Sequence, residues 1–288
     1  MLEPTSKTYR SAGLALHYAD WGNEDAPPLI LIHGGRDHCR NWDWVARDLC
    51  SDFHVVAPDL RGHGDSQWSP DGDYSMASYL FDFAELIRSQ GGPVTIIGHS
   101  LGGNIAIRFA GTYPEAVTRL VAIEGLRPPP DVEAKRASQS IAERLREWIE
   151  ERRRLGERKP RRYPSIEDAL ARMQAMNRHL SDEQARHLTV HGVRRNDDGS
   201  YSWKFDEQVR SFGPFDLATS DVEFLYWAIE CPTLLVYGRD SWATNPAEDG
   251  RLGHFRHGRV ALFDDAGHWV HHDRLDAFIA EVRAFLAA

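Results

Sequence analysis

The sequence predicts an α/β protein: a mostly parallel central sheet with helices on both faces and a helical segment inserted between strands. Three observations predict it. Short, continuously apolar runs recur along the chain, stretches with helical apolar spacing separate them, and one strongly charged tract interrupts the alternation. Strands buried on both faces lack the in–out alternation of a half-exposed strand, so unbroken apolar runs between helices point to a parallel sheet.

Taken in order, Leu14–Tyr18 reads as an edge strand. Leu29–Ile32 is an apolar run that ends at His33-Gly34-Gly35, and Val55–Ala57 leads into Pro58-Asp59-Leu60-Arg61-Gly62-His63-Gly64. Tyr79–Ser89 and Asn104–Ala110 carry the spacing of helices. Between them Val94–Ile97 runs into Gly98-His99-Ser100, and Leu120–Ile123 ends at Glu124-Gly125. The texture then changes. Arg127-Pro128-Pro129-Pro130 is expected to be a stiff, non-helical connector. The tract from there to Ala228 is expected to be mostly helical, with Ser165 and Ser181 as N-caps and Asn196-Asp197-Asp198-Gly199 as a turn. Strands resume at Thr233–Tyr237 and Val260–Phe263, and Asp273–Ala287 closes with an amphipathic helix. The expected organisation is a core of residues 1–126 and 229–288, with 127–228 inserted as a cap over the carboxyl ends of the strands. Open α/β sheets place their sites at those ends.

The chain has 288 residues and a formal charge of −9, which argues against a general nucleic-acid binder. Cys39, Cys50 and Cys231 are odd in number and lack metal-type pairing, so they read as free thiols in a reducing compartment. The first residues, MLEPTSKTYRSAG, lack the apolar core of a signal peptide, and no apolar run approaches a membrane span. The expectation is a cytoplasmic protein that binds neither membrane nor nucleic acid.

Gly98-His99-Ser100-Leu101-Gly102 lies between a predicted strand and a predicted helix. That is the setting of a nucleophile elbow, where a sharp turn exposes the serine oxygen and flanking glycines make room for it. Alone the pattern is weak, arising by chance in roughly one chain in ten of this length. Its flanks give it weight. The alternative is a turn whose serine merely caps a helix. A serine hydroxyl needs a base, and His268 in Ala266-Gly267-His268-Trp269 follows the last predicted strand. His271, His272 and Asp273 follow closely and resemble metal ligands, but adjacent histidines at a helix start are expected to face solvent. The backbone N–H groups of Leu101 and Gly35 are the expected donors to a developing oxyanion. No metal-ligand cluster and no dinucleotide-binding glycine motif stands out, so no cofactor is expected.

His33-Gly34-Gly35 with Trp42, the stretch Asp59–Ser66, Gly98–Gly103 and Gly267-His268-Trp269 together resemble the α/β-hydrolase superfamily. The likeness is to its capped branch of haloalkane dehalogenases, epoxide hydrolases, C–C bond hydrolases and esterases. It covers nearly the whole chain outside the insertion. The resemblance implies that Asp59–Ser66 is structural. The chain departs from the dehalogenases and epoxide hydrolases in having Ser100 where they have an Asp nucleophile, and it has Gly35 and Leu101 where dehalogenases hold halide. Acyl transfer to water is the implied chemistry. The family usually carries the triad acid three residues beyond the glycine that ends the Val236-Tyr237 strand; here that glycine is Gly238, the position holds Ser241, and Asp240 stands one place early. The run Val121–Pro128 resembles the dehalogenase subgroup whose acid follows the preceding strand, which makes Glu124 the favoured acid and Asp240 the alternative.

The expectation is a cofactor-free serine hydrolase acting on a small-molecule acyl substrate, with Ser100, His268 and Glu124 as triad. Two rivals keep the same residues: a C–C bond hydrolase, and a ligand receptor on a hydrolase scaffold. A third is a pseudo-enzyme that binds partners through the insertion. Residues 131–162 hold 11 Lys or Arg against 7 Asp or Glu. Such a basic tract is either a solvated helix face or a docking surface for an acidic substrate or carrier protein. Trp148, Tyr163, Trp203, Phe205, Phe212, Phe215 and Trp227 are candidates to line an apolar pocket or to form the insertion's own core.

Overall fold

Strands that are apolar on both faces can be buried only between two layers of helices, and the chain follows that constraint in the computed structural model. It describes residues 2–211 and 213–288, and at 135–137 the backbone alone. The first half contains β1 (Thr5–Ser11), β2 (Leu14–Asp20), β3 (Pro28–Ile32), α1 (Asp43–Leu49) and β4 (His54–Pro58). There follow α2 (Met76–Gln90), β5 (Val94–His99), α3 (Leu101–Thr112) and β6 (Val117–Ile123). Next come α4 (Pro130–Ala137), α5 (Ile141–Glu157), α6 (Ile166–Met176), α7 (Asp182–Gly192), β7 (Val193–Arg195), β8 (Tyr201–Trp203) and α8 (Thr219–Ala228). The chain closes with β9 (Thr233–Gly238), β10 (Gly258–Phe263), α9 (Val270–Asp273) and α10 (Leu275–Ala287).

Eight strands form one sheet in the order β1-β2-β4-β3-β5-β6-β9-β10. The β1–β2 and β2–β4 pairs are antiparallel and the others parallel. Along each central strand successive side chains enter opposite cores. Ile96, Leu120 and Leu235 pack with Phe83, Phe109 and Tyr226 from α2, α3 and α8. Their neighbours Ile97, Val121 and Leu234 pack with Leu49, Phe278 and Val282 from α1 and α10. Each such side chain removed from water contributes about 1.5–3 kcal/mol.

The expected α/β architecture is present, with differences in detail. Leu14–Tyr18 is an interior strand; the edge is Thr5–Ser11, whose polar, exposed sequence gives no apolar signal and which is held by its hydrogen-bond ladder with β2. Pro130 does not stand outside the helix but starts α4, where its missing N–H has no helical partner to lose. The 127–228 tract is mostly helical but also holds the antiparallel pair β7–β8 about the Asn196–Gly199 turn. Ser165 and Ser181 cap α6 and α7, and Ser140 caps α5 in the same way. The three cysteines are free, and among the described residues no helix is long and apolar enough to cross a membrane.

The loop after β4 is built around buried charge. Asp59 accepts from the Cys39 N–H at 2.7 Å and the Asp65 N–H at 2.9 Å, and pairs with His17 Nδ1 at 2.7 Å. Two residues on, Arg61 binds Asp82 of α2 through Nε at 2.5 Å and a terminal nitrogen at 2.7 Å. Both side chains are buried. Removing one member of such a pair strands the other charge, a loss of about 3–5 kcal/mol. Asp82→Ala is therefore expected to destabilise the fold by that amount, read as a lowered denaturant midpoint; an unchanged midpoint would contradict the role given to the pair.

Candidate active site

Five adjacent parallel strands, β3, β5, β6, β9 and β10, end on the same edge of the sheet. The segments leaving them carry, in that order, Gly35, Ser100, Glu124, the pair Asp240 and Ser241, and His268. Every sequence-predicted site residue thus comes to one edge, although the sequence separates the first and last by more than two hundred positions. All of them line one cavity of about 980 Å3.

Ser100 sits at φ 52°, ψ −114°, between the last residue of β5 and the first of α3. A non-glycine residue there is strained, and the surroundings hold it. Its N–H donates to the Ile123 carbonyl at 2.8 Å, and its own carbonyl accepts from Asn104 N–H at 3.0 Å. The flanking glycines are required by close approach. A Cβ at Gly98 would lie 2.5 Å from the Gly102 carbonyl oxygen, and one at Gly102 would lie 2.4 Å from that of Ile32. Leu101 opens α3, so its N–H has no intrahelical acceptor and is free for a ligand. Gly35 faces it: a Cβ built there would meet Leu101 Cδ2 at 4.0 Å.

His33 holds the Gly34-Gly35 turn. Its Nε2 accepts from the Leu60 N–H at 3.0 Å, which leaves Nδ1–H to donate to the Gly34 carbonyl at 2.7 Å. Burial, with His63 nearby, pushes its pKa down to about 3, so it stays neutral.

Glu124 is the carboxylate that reaches His268. Its Oε2 lies 2.6 Å from His268 Nδ1. The same oxygen accepts from Ser241 Oγ at 2.6 Å, and Oε1 accepts from the Gly238 N–H at 3.0 Å. The residue is buried and also sits at positive φ, 46°. Asp240 is exposed; its backbone N–H donates to the Ala266 carbonyl, and among the described residues no hydrogen bond joins it to His268. The serine three residues beyond Gly238 is thus a hydrogen-bond donor to the carboxylate that comes from the neighbouring strand. Between Ser100 and His268 the structure has no hydrogen bond. Such contacts are often long in unliganded sites and tighten when substrate binds.

The histidines that follow differ from expectation. His271 and His272 are buried, not solvent-facing. The short α9 turns them inward, where His271 stacks on Trp42 at 4.6 Å between ring centres and lies 4.7 Å from His99 and 4.3 Å from His272. Neither ring has a hydrogen-bond partner among the described residues. His99 donates Nε2–H to the His268 carbonyl at 3.0 Å, tying the elbow strand to the His268 loop. Among the described residues, metal-type side-chain atoms gather within 4.8 Å at His17–Cys39–Asp59 and at Asp43–His187–His191, not at 268, 271 and 272. In both clusters the carboxylate already holds N–H donors, from Cys39 and Asp65 on Asp59 and from Arg40 on Asp43.

Of the aromatic candidates, Phe215 lines the cavity. Tyr163 and Trp203 form a small cluster with Val193, Trp227 lies exposed beneath Arg256, and Phe212 is outside the described residues. Trp242, which sequence reasoning passed over, and Trp269, quoted there only within the His268 motif, do line it, and the Trp242 ring is 5.1 Å from His268. The basic tract is matched in part by neighbours: Arg153 with Glu150, Arg154 with Glu151, Arg162 with Asp198, and Arg152 on the carbonyls of Asp71 and Gly72.

Residues 27–275 match the family model for the alpha/beta hydrolase fold. Esterase Rv0045c of Mycobacterium tuberculosis is 31% identical over 98% of this chain and 90% of its own length. Its solved structure superposes with a TM-score of 0.79 at 28% identity, covering 99% of this chain and 93% of that one. Esterase YbfF of Escherichia coli is 28% identical over 90% of this chain and 92% of its own. The thioesterase domain from the curacin biosynthetic pathway shares the fold, with a TM-score of 0.84 at 24% identity over 97% of this chain and 99% of that domain.

The imidazoles around the site give the fold a pH signature. Burial holds His272 near about 3 and His63 near about 4, and keeps His99 and His271 well below the usual range. These rings are neutral when folded, whereas in the unfolded chain they take up protons near pH 6.5. Stability is therefore complete above about pH 6.5 and falls as pH drops towards about 3–4, by up to about 1.4 kcal/mol per pH unit for each such histidine. Chemical denaturation at pH 7.5 and pH 5 should show a clearly lower stability at pH 5; equal values would contradict neutral, buried rings.

Proposed function

The chain belongs to the alpha/beta hydrolase fold family and is a hydrolase, and from that premise we propose that it cleaves carboxylic esters through an acyl-enzyme on Ser100. One observation carries the reading: the Glu124–His268 hydrogen bond lies beside a strained serine at the ends of adjacent strands. The esterases among its relatives support the same reaction class.

In this reading His268 Nε2 removes the Ser100 proton as Oγ attacks the ester carbonyl. Glu124, holding Nδ1–H, fixes the tautomer that leaves Nε2 free and stabilises the imidazolium that forms. The Leu101 and Gly35 N–H groups receive the oxyanion; one such donor is worth about 2.7–4 kcal/mol of barrier. Collapse of the intermediate expels the alcohol, protonated by His268, and leaves the acyl group on Ser100. Water, deprotonated by His268, then attacks the acyl-enzyme, releases the acid and restores the serine. No step draws on a metal or an organic cofactor.

Residues 127–228 act here as the cap, since Pro128, Met176, His179 and Phe215 of that tract line the cavity with the proposed triad. The local pairing of the basic tract favours a solvated face, so the partner proposed is a small acyl substrate and not a carrier protein. Three free thiols fit a reducing compartment such as the cytoplasm.

A fluorophosphonate probe should label the wild-type protein, and Ser100→Ala should abolish labelling together with hydrolysis of 4-nitrophenyl esters; labelling that persists in the variant would refute the nucleophile. Glu124→Gln should lower kcat by orders of magnitude, about 10⁴ on the precedent of an amide in the serine-protease triad. Asp240→Asn should cost far less. The reverse ranking would transfer the acid's role to Asp240.

A further inference from the structure

Next to Gly35 the cavity wall holds a cation without a counter-charge. Arg36 lines the same cavity as Ser100 and forms no hydrogen bond or ion pair with any described residue. Other arginines of that wall are matched. Arg108 grips Asp216 at 2.6 and 2.7 Å, Arg127 pairs with Glu133, and Arg251 with Asp249 at 2.6 Å. Arg210 is held by Glu207, and Arg178, on the loop before α7, is exposed like Arg36 and forms no ion pair with a described residue.

The surroundings of Arg36 deepen the imbalance. The carboxylate whose charge acts on Arg36 is Glu207, on the turn before residue 211, and it is already taken. Arg210 Nε donates to it at 2.7 Å, and Arg158 approaches it at 3.4 Å. Arg36 and Arg210 line the cavity, and the carboxylate that acts on both, Glu207, is shared with Arg158 behind them, so the three cations exceed the one carboxylate by two charges. Arg36 is exposed at the cavity surface; partial desolvation there and repulsion from Arg210 lower its pKa from the ordinary arginine value. Its backbone is at φ 66°, a conformation that costs an arginine energy and aims the residue from the turn that also presents the Gly35 N–H.

We propose that Arg36, with Arg210 beside it, is a subsite for a carboxylate carried by the substrate, so that the ester this protein hydrolyses is an anion. The inference rests on the ester-hydrolase reading above and adds the charge of the substrate to it. A guanidinium meets a carboxylate through two parallel N–H···O bonds, a geometry that fixes orientation as well as affinity. That grip directly follows an oxyanion donor, Gly35, in the chain, so a carboxylate seated on Arg36 would help set the scissile carbonyl against Ser100.

The test compares matched esters that differ in one charge: 4-nitrophenyl hydrogen adipate against its methyl ester, and 4-acetoxybenzoate against methyl 4-acetoxybenzoate. The first pair puts the carboxylate on the acyl side, the second on the alcohol side. The readout is the ratio of kcat/KM for the charged ester to that for its neutral partner. Glycine suits the backbone at φ 66°, so Arg36→Gly removes the cation without adding strain. In one of the two pairs that variant should lower the ratio about ten- to hundredfold, the usual weight of hydrogen bonds to a charged group. Glu207→Gln, which removes the competing carboxylate, should raise the same ratio, and added salt should lower it in the wild type. Opposite signs for the two variants separate a charge effect from a general loss of structure. Ser100-dependent turnover with a ratio unchanged by Arg36→Gly in both pairs overturns the subsite alone. Turnover absent with all four esters, or present in Ser100→Ala, overturns the reading of ester hydrolysis through Ser100 and the subsite with it.

Discussion

The constraint on which this structure depends is that its parallel strands are apolar on both faces. Nothing chemically reactive can sit along them, and the polar groups that do chemistry are displaced to the strand ends. Two neighbouring exits, at Ser100 after β5 and Glu124 after β6, share the same device. Each residue takes a positive φ while its N–H bonds the adjacent strand, Ser100 to Ile123 and Glu124 to Val236. The sheet's hydrogen bonds thus extend one residue beyond its apolar core and hold two strained residues in place. Strain of this kind persists only where the surroundings over-determine it.

The carboxylate bonded to His268 illustrates how a site tolerates a shifted component. Three donors hold Glu124: a backbone N–H at Gly238, the Ser241 hydroxyl and His268 Nδ1. Two of the three come from the end of β9 and the loop after it, where the family resemblance places an acid. That loop keeps its place in the site while contributing a hydroxyl instead of a carboxylate. The longer side chain of glutamate spans from the neighbouring strand.

Much of this was legible in the sequence because it is written locally. Unbroken apolar runs gave the strands of the central sheet, and the glycines around Ser100 and after His33 marked turns that only close backbone approach requires. Glu124 was legible through register, since Ser241 stands where an acid was sought. What could not be read was decided by contacts distant in sequence. Thr5–Ser11 is a strand because β2 offers it a ladder, not because its side chains are apolar. His271 and His272 look solvent-facing from their own neighbourhood, yet residues far away in the chain pack on them, Trp42 and His99 on His271 and Trp44 on His272. Trp242 gave no local signal, and Arg36 becomes conspicuous only when its distant neighbours are found to be Arg210 and an already paired Glu207.

The dispersal of the site over five strands has a consequence for the making of the protein. Contacts between residues so far apart in sequence form slowly, and a chain emerges from the ribosome N-terminus first. Until β10 has joined β9, the growing polypeptide carries its serine without the imidazole and without the completed cradle around Glu124. The proposed serine–histidine–glutamate arrangement is therefore brought together only when the outermost parallel strand docks.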